Sequence, residues 1–406
     1  MNRLSTLIIL CLAFLLGSCS TNRSLFKQGQ MHKSAGSTES NFDILIPTTQ
    51  SSNLIFVKVE IGRKEYRFLF DTGAPMVISK ELQEEFQFKV ISQNLVYDSQ
   101  NQSQMQNYVQ VDSLNLACVL FTDLTAVEAD LRYSPILACL NIDGIIGANL
   151  MRHAYWEMDA STGFLRMTST KQHWPQGNNK LHTKPFKIKR TYTPVIELQV
   201  ANTLYPNITF DTGSSDLLSL GKDANNDYCA DSVMFKAYGY LSAGLFGSNV
   251  DTLESQALTL YLDSFPYLAP IEFEANKDAR LLGMSFLRHF RIFMDWQKQE
   301  IHFLPHDTIN FWEDKSHPTS PFLSGEAIIV GQLNSLAFAD GQDIALGDTI
   351  ESINGLAIYP AAADTYCEVL KLFKKEAELS LHIRRKGEVL IRRQDLFPSM
   401  NLRKRL

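Results

Sequence analysis

Aspartate occurs twice in the same five-residue setting, Phe70-Asp71-Thr72-Gly73-Ala74 and Phe210-Asp211-Thr212-Gly213-Ser214, with the aspartates 140 positions apart (211 − 71). Two carboxyls in one site can do general acid–base work on a water molecule, one taking a proton while the other gives one. In contact they cannot both ionise, so the pair shares a proton and its two titrations split. The Gly after each Asp-Thr permits the tight loop that would hold a carboxylate out of a strand end. One copy of Asp-Thr-Gly reads equally well as an Asx-turn without chemistry; two copies in matched settings favour the chemical reading.

The settings do match. Alternating apolar residues predict strands over 56–61 and 66–70 before the first motif, and over 195–200 and 208–210 before the second. An apolar-apolar-Gly element follows in each half, Ile145-Ile146-Gly147 at 76 residues past its Asp (147 − 71) and Leu281-Leu282-Gly283 at 72 (283 − 211). Laying 147–159 over 283–295 brings Gly147, Arg152, His153, Met158 and Asp159 onto Gly283, Arg288, His289, Met294 and Asp295 without a gap. Self-similarity at a fixed offset marks duplicated structural units, and two long units predict twin lobes in one chain. His153 and His289 read as packing or helix-end residues, since no Cys or His partner lies at metal-ligand spacing. Asp159 and Asp295 read as turn-closing residues after a strand.

These residues resemble the retropepsin and pepsin-like aspartic proteases, over about residues 50 to 305. The resemblance implies a mostly-β chain in which two pseudo-symmetric retropepsin-like β-barrel lobes form one acid-protease unit. It implies Asp71 and Asp211 as the catalytic pair, with peptide or protein as substrate and no cofactor or metal. Thr72 and Thr212 would bond across to the opposite loop, while Gly73 and Gly213 would present backbone N–H groups to the carboxylates and favour their ionised form. Ser214 would donate its hydroxyl to its own carboxylate, which Ala74 cannot do, and the expected working pH is therefore less acidic than that of pepsin. Pro75 departs from the family pattern, where a small or polar residue is more usual. Covering flaps are expected over 96–111, with Tyr97 and Tyr108, and over 238–247, with its glycines.

The N-terminus predicts export. Arg3 precedes the apolar run 7–16, followed by Leu16-Gly17-Ser18-Cys19; such a run is too short to span a bilayer and stay there. The pattern resembles a bacterial lipobox, so residues 1–18 are read as a lipoprotein signal peptide and Cys19 as the site of lipidation, with durable anchoring through several chains. Ser20 suggests the outer membrane, facing the periplasm. Residues 19–41 read as a flexible tether. Removing 1–18 leaves 37 basic (38 − 1) against 44 acidic residues, a balance of −7 that argues against nucleic acid.

The remaining boundaries are a first lobe over 42–168, a connector over 169–190, a second lobe over 191–305, a linker over 306–321 and a last unit over 322–396. That unit, with Leu346-Gly347-Asp348-Thr349-Ile350 and Ile353-Asn354-Gly355, resembles a bacterial PDZ domain, whose helix would cover 364–374 and whose strand would cover 377–384. The resemblance implies capture of a peptide C-terminus by strand addition, with Phe322-Leu323-Ser324-Gly325 as carboxylate cradle; docking onto the lobes is the competing role. Of the other cysteines, Cys118 and Cys139 are candidates for a disulfide within the first lobe, while Cys229 and Cys367 have no assigned partner. The whole reads as a monomeric, membrane-anchored aspartic endopeptidase; the alternative is a non-catalytic peptide-binding scaffold lipoprotein, and pairing of lobes between chains is a further possibility.

Overall fold

The computed structural model describes residues 36–37, 41–175, 177, 180–222, 232–275, 279–313, 315–335, 343–395 and 397–398. The expected signal peptide, Cys19, most of the tether and Cys229 lie outside the described residues. The chain is mostly β, as the resemblance implies.

In the first half, strand Leu54–Ile61 buries Val57, Val59 and Ile61 and exposes Lys58 and Glu60, the period of two that a half-buried strand requires. It pairs antiparallel with Lys64–Asp71, whose other neighbour, Gly144–Gly147, runs parallel to it and sets Ile146 beside Phe70 and Gly147 beside Asp71. Gly144–Gly147 also pairs with Val77–Ser79, which runs parallel to Val119–Ala129. The second half repeats this wiring. Thr203–Phe210 lies antiparallel to Pro194–Val200 and parallel to Arg280–Leu282, which puts Leu282 beside Phe210. Leu218–Gly221 then joins Arg280–Leu282 to Phe265–Glu274. Each half also projects a hairpin, Lys89–Tyr97 with Ser103–Leu116 in the first and Phe235–Tyr240 with Val250–Leu262 in the second.

A six-stranded sheet joins the halves, in the order His182–Pro185, Glu300–Pro305, Phe290–Asp295, Tyr155–Asp159, Phe164–Thr168, Asp43–Pro47. Its central rungs pair Trp156 with Met294, Glu157 with Phe293 and Met158 with Ile292. Glu157 and Phe293 are equivalent positions of the repeat, ten past Gly147 and Gly283 (157 − 147, 293 − 283), so exchanging the halves maps this pairing onto itself. A pseudo-two-fold axis therefore passes between them. One apolar core spans both halves, including Phe70, Trp156, Phe210, Phe286 and Phe303, all fully buried. Burial of each such side chain stabilises by roughly 1.5–3 kcal/mol, so the shared core ties the two halves together.

The repeated residues take the structural roles expected. His153 and His289 follow the short helices Ala148–Met151 and Met284–Leu287, whose ends are capped by Arg152 and Arg288. Asp159 accepts from the Ser161 N–H at 3.0 Å, and Asp295 from the Lys298 N–H at 2.8 Å, each closing the turn after its strand.

The last unit holds strands Thr319–Ser324, Ala327–Asn334, Thr349–Ile353, Glu378–Arg385 and Glu388–Asp395 around helix Ala363–Lys375. The helix buries Tyr366, Val369 and Phe373, a spacing of three and four that makes one apolar stripe. Asp348 closes the Gly347 turn by accepting from the Ala345 N–H at 2.8 Å and holds Arg385 through both carboxylate oxygens at 2.8 and 2.6 Å.

Three expectations need correction. The stretch 169–190 is more than a connector, since it supplies His182–Pro185 to the shared sheet and Lys187–Ile188 to the second lobe. Phe322, Leu323 and Ser324 form a strand that turns at Gly325 directly into Ala327–Asn334, so they make a hairpin rather than a carboxylate cradle. Cys139 pairs with Cys367, across 228 residues and between the first lobe and the last unit, while Cys118 is free and exposed. Cys118 sits at a left-handed turn between Ser103–Leu116 and Val119–Ala129, where its side chain faces solvent rather than Cys139.

Candidate active site

The two Asp-Thr-Gly loops meet at the pseudo-axis. Thr72 Oγ1 donates to the Phe210 carbonyl at 2.7 Å and accepts from the Thr212 N–H at 3.0 Å; Thr212 Oγ1 donates to the Phe70 carbonyl at 2.9 Å and accepts from the Thr72 N–H at 3.0 Å. Both threonines are buried, so each hydroxyl satisfies a donor and an acceptor that water cannot reach. These four reciprocal bonds fix one loop against the other.

Parallel pairing brings the elements after the glycines into support. The Ala148 N–H bonds the Ala74 carbonyl at 2.9 Å, and at the equivalent place the Met284 N–H bonds the Ser214 carbonyl at 2.8 Å. Asn149, fully buried, accepts from the Met76 N–H at 2.7 Å and donates to the Thr125 carbonyl at 2.8 Å. Its counterpart Ser285 donates to the Ser215 carbonyl at 2.7 Å. Pro75 is accommodated because the loop's next N–H, at Met76, is the one bonded by Asn149.

The carboxyls of Asp71 and Asp211 lie close enough to act on each other. Each also lies over the glycine of the opposite loop: a Cβ on Gly73 would fall 2.5 Å from Asp211 Cγ, and one on Gly213 would fall 2.2 Å from Asp71 Cγ. Only glycine permits that approach. The Gly73 N–H donates to Asp71 Oδ1 at 2.7 Å and the Gly213 N–H to Asp211 Oδ1 at 2.9 Å. The Ala74 and Ser214 N–H groups also favour the ionised form of the same carboxyls.

Asp71 and Asp211 are each half-buried, yet the surrounding protein desolvates the pair. Burial pushes both above the ordinary carboxyl value. For Asp71 the Asp211 charge adds to burial, against the Gly73 and Ala74 N–H groups; for Asp211 the Gly213 N–H and the bond from Asp71 oppose it. The proton shared between them is therefore held to higher pH than an isolated carboxyl would hold it. Ser214 does not contribute as expected: its Oγ accepts from the Asp216 N–H at 3.1 Å instead of donating to Asp211. Neither loop then has a hydroxyl donor on its carboxylate.

Sequence reasoning missed several supporting groups. Thr193 Oγ1 donates to the Gly73 carbonyl at 3.2 Å, and Lys189, whose ammonium pKa is lowered by burial, donates to Thr209 Oγ1 at 3.0 Å and feels the Asp211 charge. Both come from 189–193, where the sequence shows only a polar turn. Asn149 lies two residues past Gly147, inside the repeat, but the repeat flagged identities and this position carries Ser285 in the other half.

The hairpins expected as flaps meet at their tips. Asp98 caps its own turn through the Gln100 and Gln102 N–H groups, both at 2.9 Å, and accepts from the Phe246 N–H of the other hairpin at 2.9 Å. Gln100 reaches Ser242 at 2.7 Å and Gln102 reaches Asn249 at 3.2 Å. Leu245 packs on the first lobe's apolar cluster with Leu69, Val96, Tyr108 and Ile145, beside the strands that lead to Asp71. Tyr97 points to solvent. At its base the second hairpin continues into the last unit's sheet, pairing Ala237 with Asn334 and Gly239 with Gln332, and Tyr240 stacks on Phe322 with ring centroids 3.9 Å apart.

A family model described as aspartyl protease matches residues 57–150, a span that holds Asp71 and Gly144–Gly147. No curated protein matches the chain. The match supports a protease-like function and a peptide or protein substrate.

Proposed function

We propose that the chain is an aspartic endopeptidase in which Asp71 and Asp211, both from one polypeptide, activate a water molecule against a peptide bond. The observation that carries this reading is the reciprocal Thr72–Thr212 network, which sets each carboxyl over the opposite loop's glycine. One carboxyl of the pair takes the proton of the attacking water while the other protonates the carbonyl oxygen, and the Gly73 and Gly213 N–H groups hold both in line. Elevated pKa values keep the single shared proton present toward neutral pH, which supports a working pH less acidic than that of pepsin. The joined hairpins are the covering loops, which must part to admit a chain and then exclude water.

Lipidation at Cys19 and an outer-membrane, periplasm-facing location complete the proposal, on the strength of the leader pattern. The last unit, PDZ-like in its turns, is proposed to act first as a docking module, since sheet pairing to the second hairpin and the Cys139–Cys367 bond hold it to both lobes. A peptide-capturing scaffold without catalysis is the second reading, favoured by the hairpins being bound to each other.

The test incubates residues 20–406 with a mixed peptide library from acid to neutral pH, beside Asp71→Asn and Asp211→Asn, with cleavage read by mass spectrometry. Cleavage that vanishes in both variants is expected, with activity independent of protein concentration. Peptides bound but never cut would favour the scaffold. A profile confined well below pH ~4, under the ordinary carboxyl value, would overturn the pH reading.

A further inference from the structure

The last unit is tied to both lobes. It meets the first along one face of helix Ala363–Lys375. Cys367 is bonded to Cys139, and Lys374 Nζ donates to Ser52 Oγ, in the turn between Thr49–Ser51 and Leu54–Ile61. Leu370 lies between Cys367 and Lys374, at the spacings of three and four that make one helix face. Ile136 and Cys139, from the short helix Pro135–Ala138 and its end, pack on the last unit's apolar core, as Leu370 and Leu323 do. Toward the second lobe, Ala327–Asn334 continues the sheet of the second hairpin through Ala237, Tyr238 and Gly239, and Phe322 stacks on Tyr240.

The circuit closes at the hairpin tips, where Asp98, Gln100 and Gln102 of the first bond the Phe246 N–H, Ser242 and Asn249 of the second. First lobe, last unit, second hairpin and first hairpin thus hold one another in a closed series of contacts. Its hydrogen bonds and apolar contacts, at the tips as at Ser52 and Ile136, part and re-form by local opening. The Cys139–Cys367 link parts only by a chemical step. Both cysteines are half-buried rather than enclosed in a core, which leaves the bridge open to attack by an outside thiolate. While the bridge is closed the last unit cannot leave the first lobe, and the root of the second hairpin, which is part of its sheet, cannot leave either.

We propose that the Cys139–Cys367 bridge is a redox latch on the hairpins: closed, it keeps the tips together, and a dithiol reductant frees the last unit to swing out with the second hairpin and admit substrate. One thiolate of the dithiol attacks a bridge sulfur and displaces the other as a thiolate, and the second thiol then resolves the mixed disulfide. Cys139 and Cys367 each gain a proton, and the dithiol leaves as a disulfide, having given up two electrons. Substrate entry rests on the endopeptidase reading; the latch itself does not.

The test compares residues 20–406 oxidised, reduced with dithiothreitol and re-oxidised, beside the double variant Cys139→Ser with Cys367→Ser, by hydrogen exchange and by cleavage of the peptide library. Reduction should quicken exchange over 98–102 and 241–249 at least roughly tenfold, while Leu54–Ile61 and Thr203–Phe210 keep their protection and re-oxidation restores the tips. The double variant should match the reduced parent with or without dithiothreitol, which excludes action through Cys118 or Cys229. Cleavage should rise with the exchange at the tips. Equal exchange at the tips in both states overturns the latch, and so does loss of protection throughout 319–334 and 363–375, which would mean that reduction unfolds the last unit instead of freeing it. Faster tips with unchanged or lower cleavage overturn the control of substrate entry. Absence of all cleavage in both states counts against the endopeptidase reading, and with it the entry role, while the exchange measurement still decides the latch.

Discussion

Thr72→Val replaces a hydroxyl by a methyl of similar shape at the centre of the interlobe contact. Thr72 Oγ1 donates to the Phe210 carbonyl at 2.7 Å and accepts from the Thr212 N–H at 3.0 Å, both in surroundings closed to water. Valine leaves one buried acceptor and one buried donor unmet, each at a cost of about 1–3 kcal/mol, so the loss should be about 2–6 kcal/mol. That is a large share of the roughly 5–15 kcal/mol by which folded domains are stable. Thr72→Ser keeps both bonds and gives up one methyl, which is about 0.8 kcal/mol. The pseudo-axis requires the same of Thr212→Val, which loses the bond to the Phe70 carbonyl and the one from the Thr72 N–H. Urea unfolding at fixed pH measures all three, and the valine variants that remain folded should lose kcat far more than they change KM, since misplacing the pair by about 1 Å costs on the order of a hundredfold. A loss below about 0.5 kcal/mol for Thr72→Val, or equal losses for valine and serine, would refute the argument that these hydroxyls fasten the loops.

Because burial and the neighbouring charge raise the folded pKa of Asp71, the folded state binds more protons than the unfolded chain above the ordinary value of 3.8, and stability falls as pH climbs from there through the raised value. Asp71→Asn removes that ionisation, so the inactive variant should match the parent near pH 3.5 and exceed it in stability at pH 7; urea midpoints at the two pH values test this, and no gain at pH 7 would contradict it. Cys139→Ser, or reduction of the parent, opens a bridge across 228 residues, for which the chain-entropy account gives at most about 5 kcal/mol. Sheet pairing to the second hairpin shares in holding that unit, so a smaller loss is expected; a melting temperature indifferent to dithiothreitol would mean the bridge carries nothing. Asp98→Ala removes the acceptor of the Phe246, Gln100 and Gln102 N–H groups, and hydrogen exchange should quicken over 98–102 and at 246; unchanged protection would show that Leu245 packing alone holds the tips.

Much of the site was legible because the duplication wrote it twice. Asp-Thr-Gly after a strand and apolar-apolar-Gly further on are local patterns, and both pairs of strands fall where alternation puts them. The turn-closing roles of Asp159 and Asp295 were readable for the same reason, since a carboxylate bonding N–H groups two or three residues on is local chemistry. Ser214 shows where locality stops. A hydroxyl two positions from a bonded N–H can cap its own turn or reach the neighbouring carboxylate, and only the loop's path, fixed by the Met284 N–H on the Ser214 carbonyl, directs it to Asp216.

What could not be read are contacts between segments with no common pattern. Cys139 and Cys367 carry no spacing rule, because a disulfide needs Cα atoms within a few ångströms and that distance, 5.2 Å here, is set by the docking of one unit on another. Phe235–Tyr240 has the alternation of an edge strand, and an open edge accepts any strand of suitable register, so its extension into Ala327–Asn334 is decided by where the last unit lies. The consequence is mechanical. The hairpin whose tip bonds Asp98 is, at its root, a strand of the last unit's sheet, with Tyr240 stacked on Phe322 at the junction. A motion that parts the tips must bend that hairpin between tip and root or carry the last unit along with it. The Cys139–Cys367 bond opposes the second course, because Cys139 ends a short helix of the first lobe five residues before Gly144–Gly147 (144 − 139). Bending within 241–249, where Gly244 and Gly247 are bonded to each other, is the course the connections leave open.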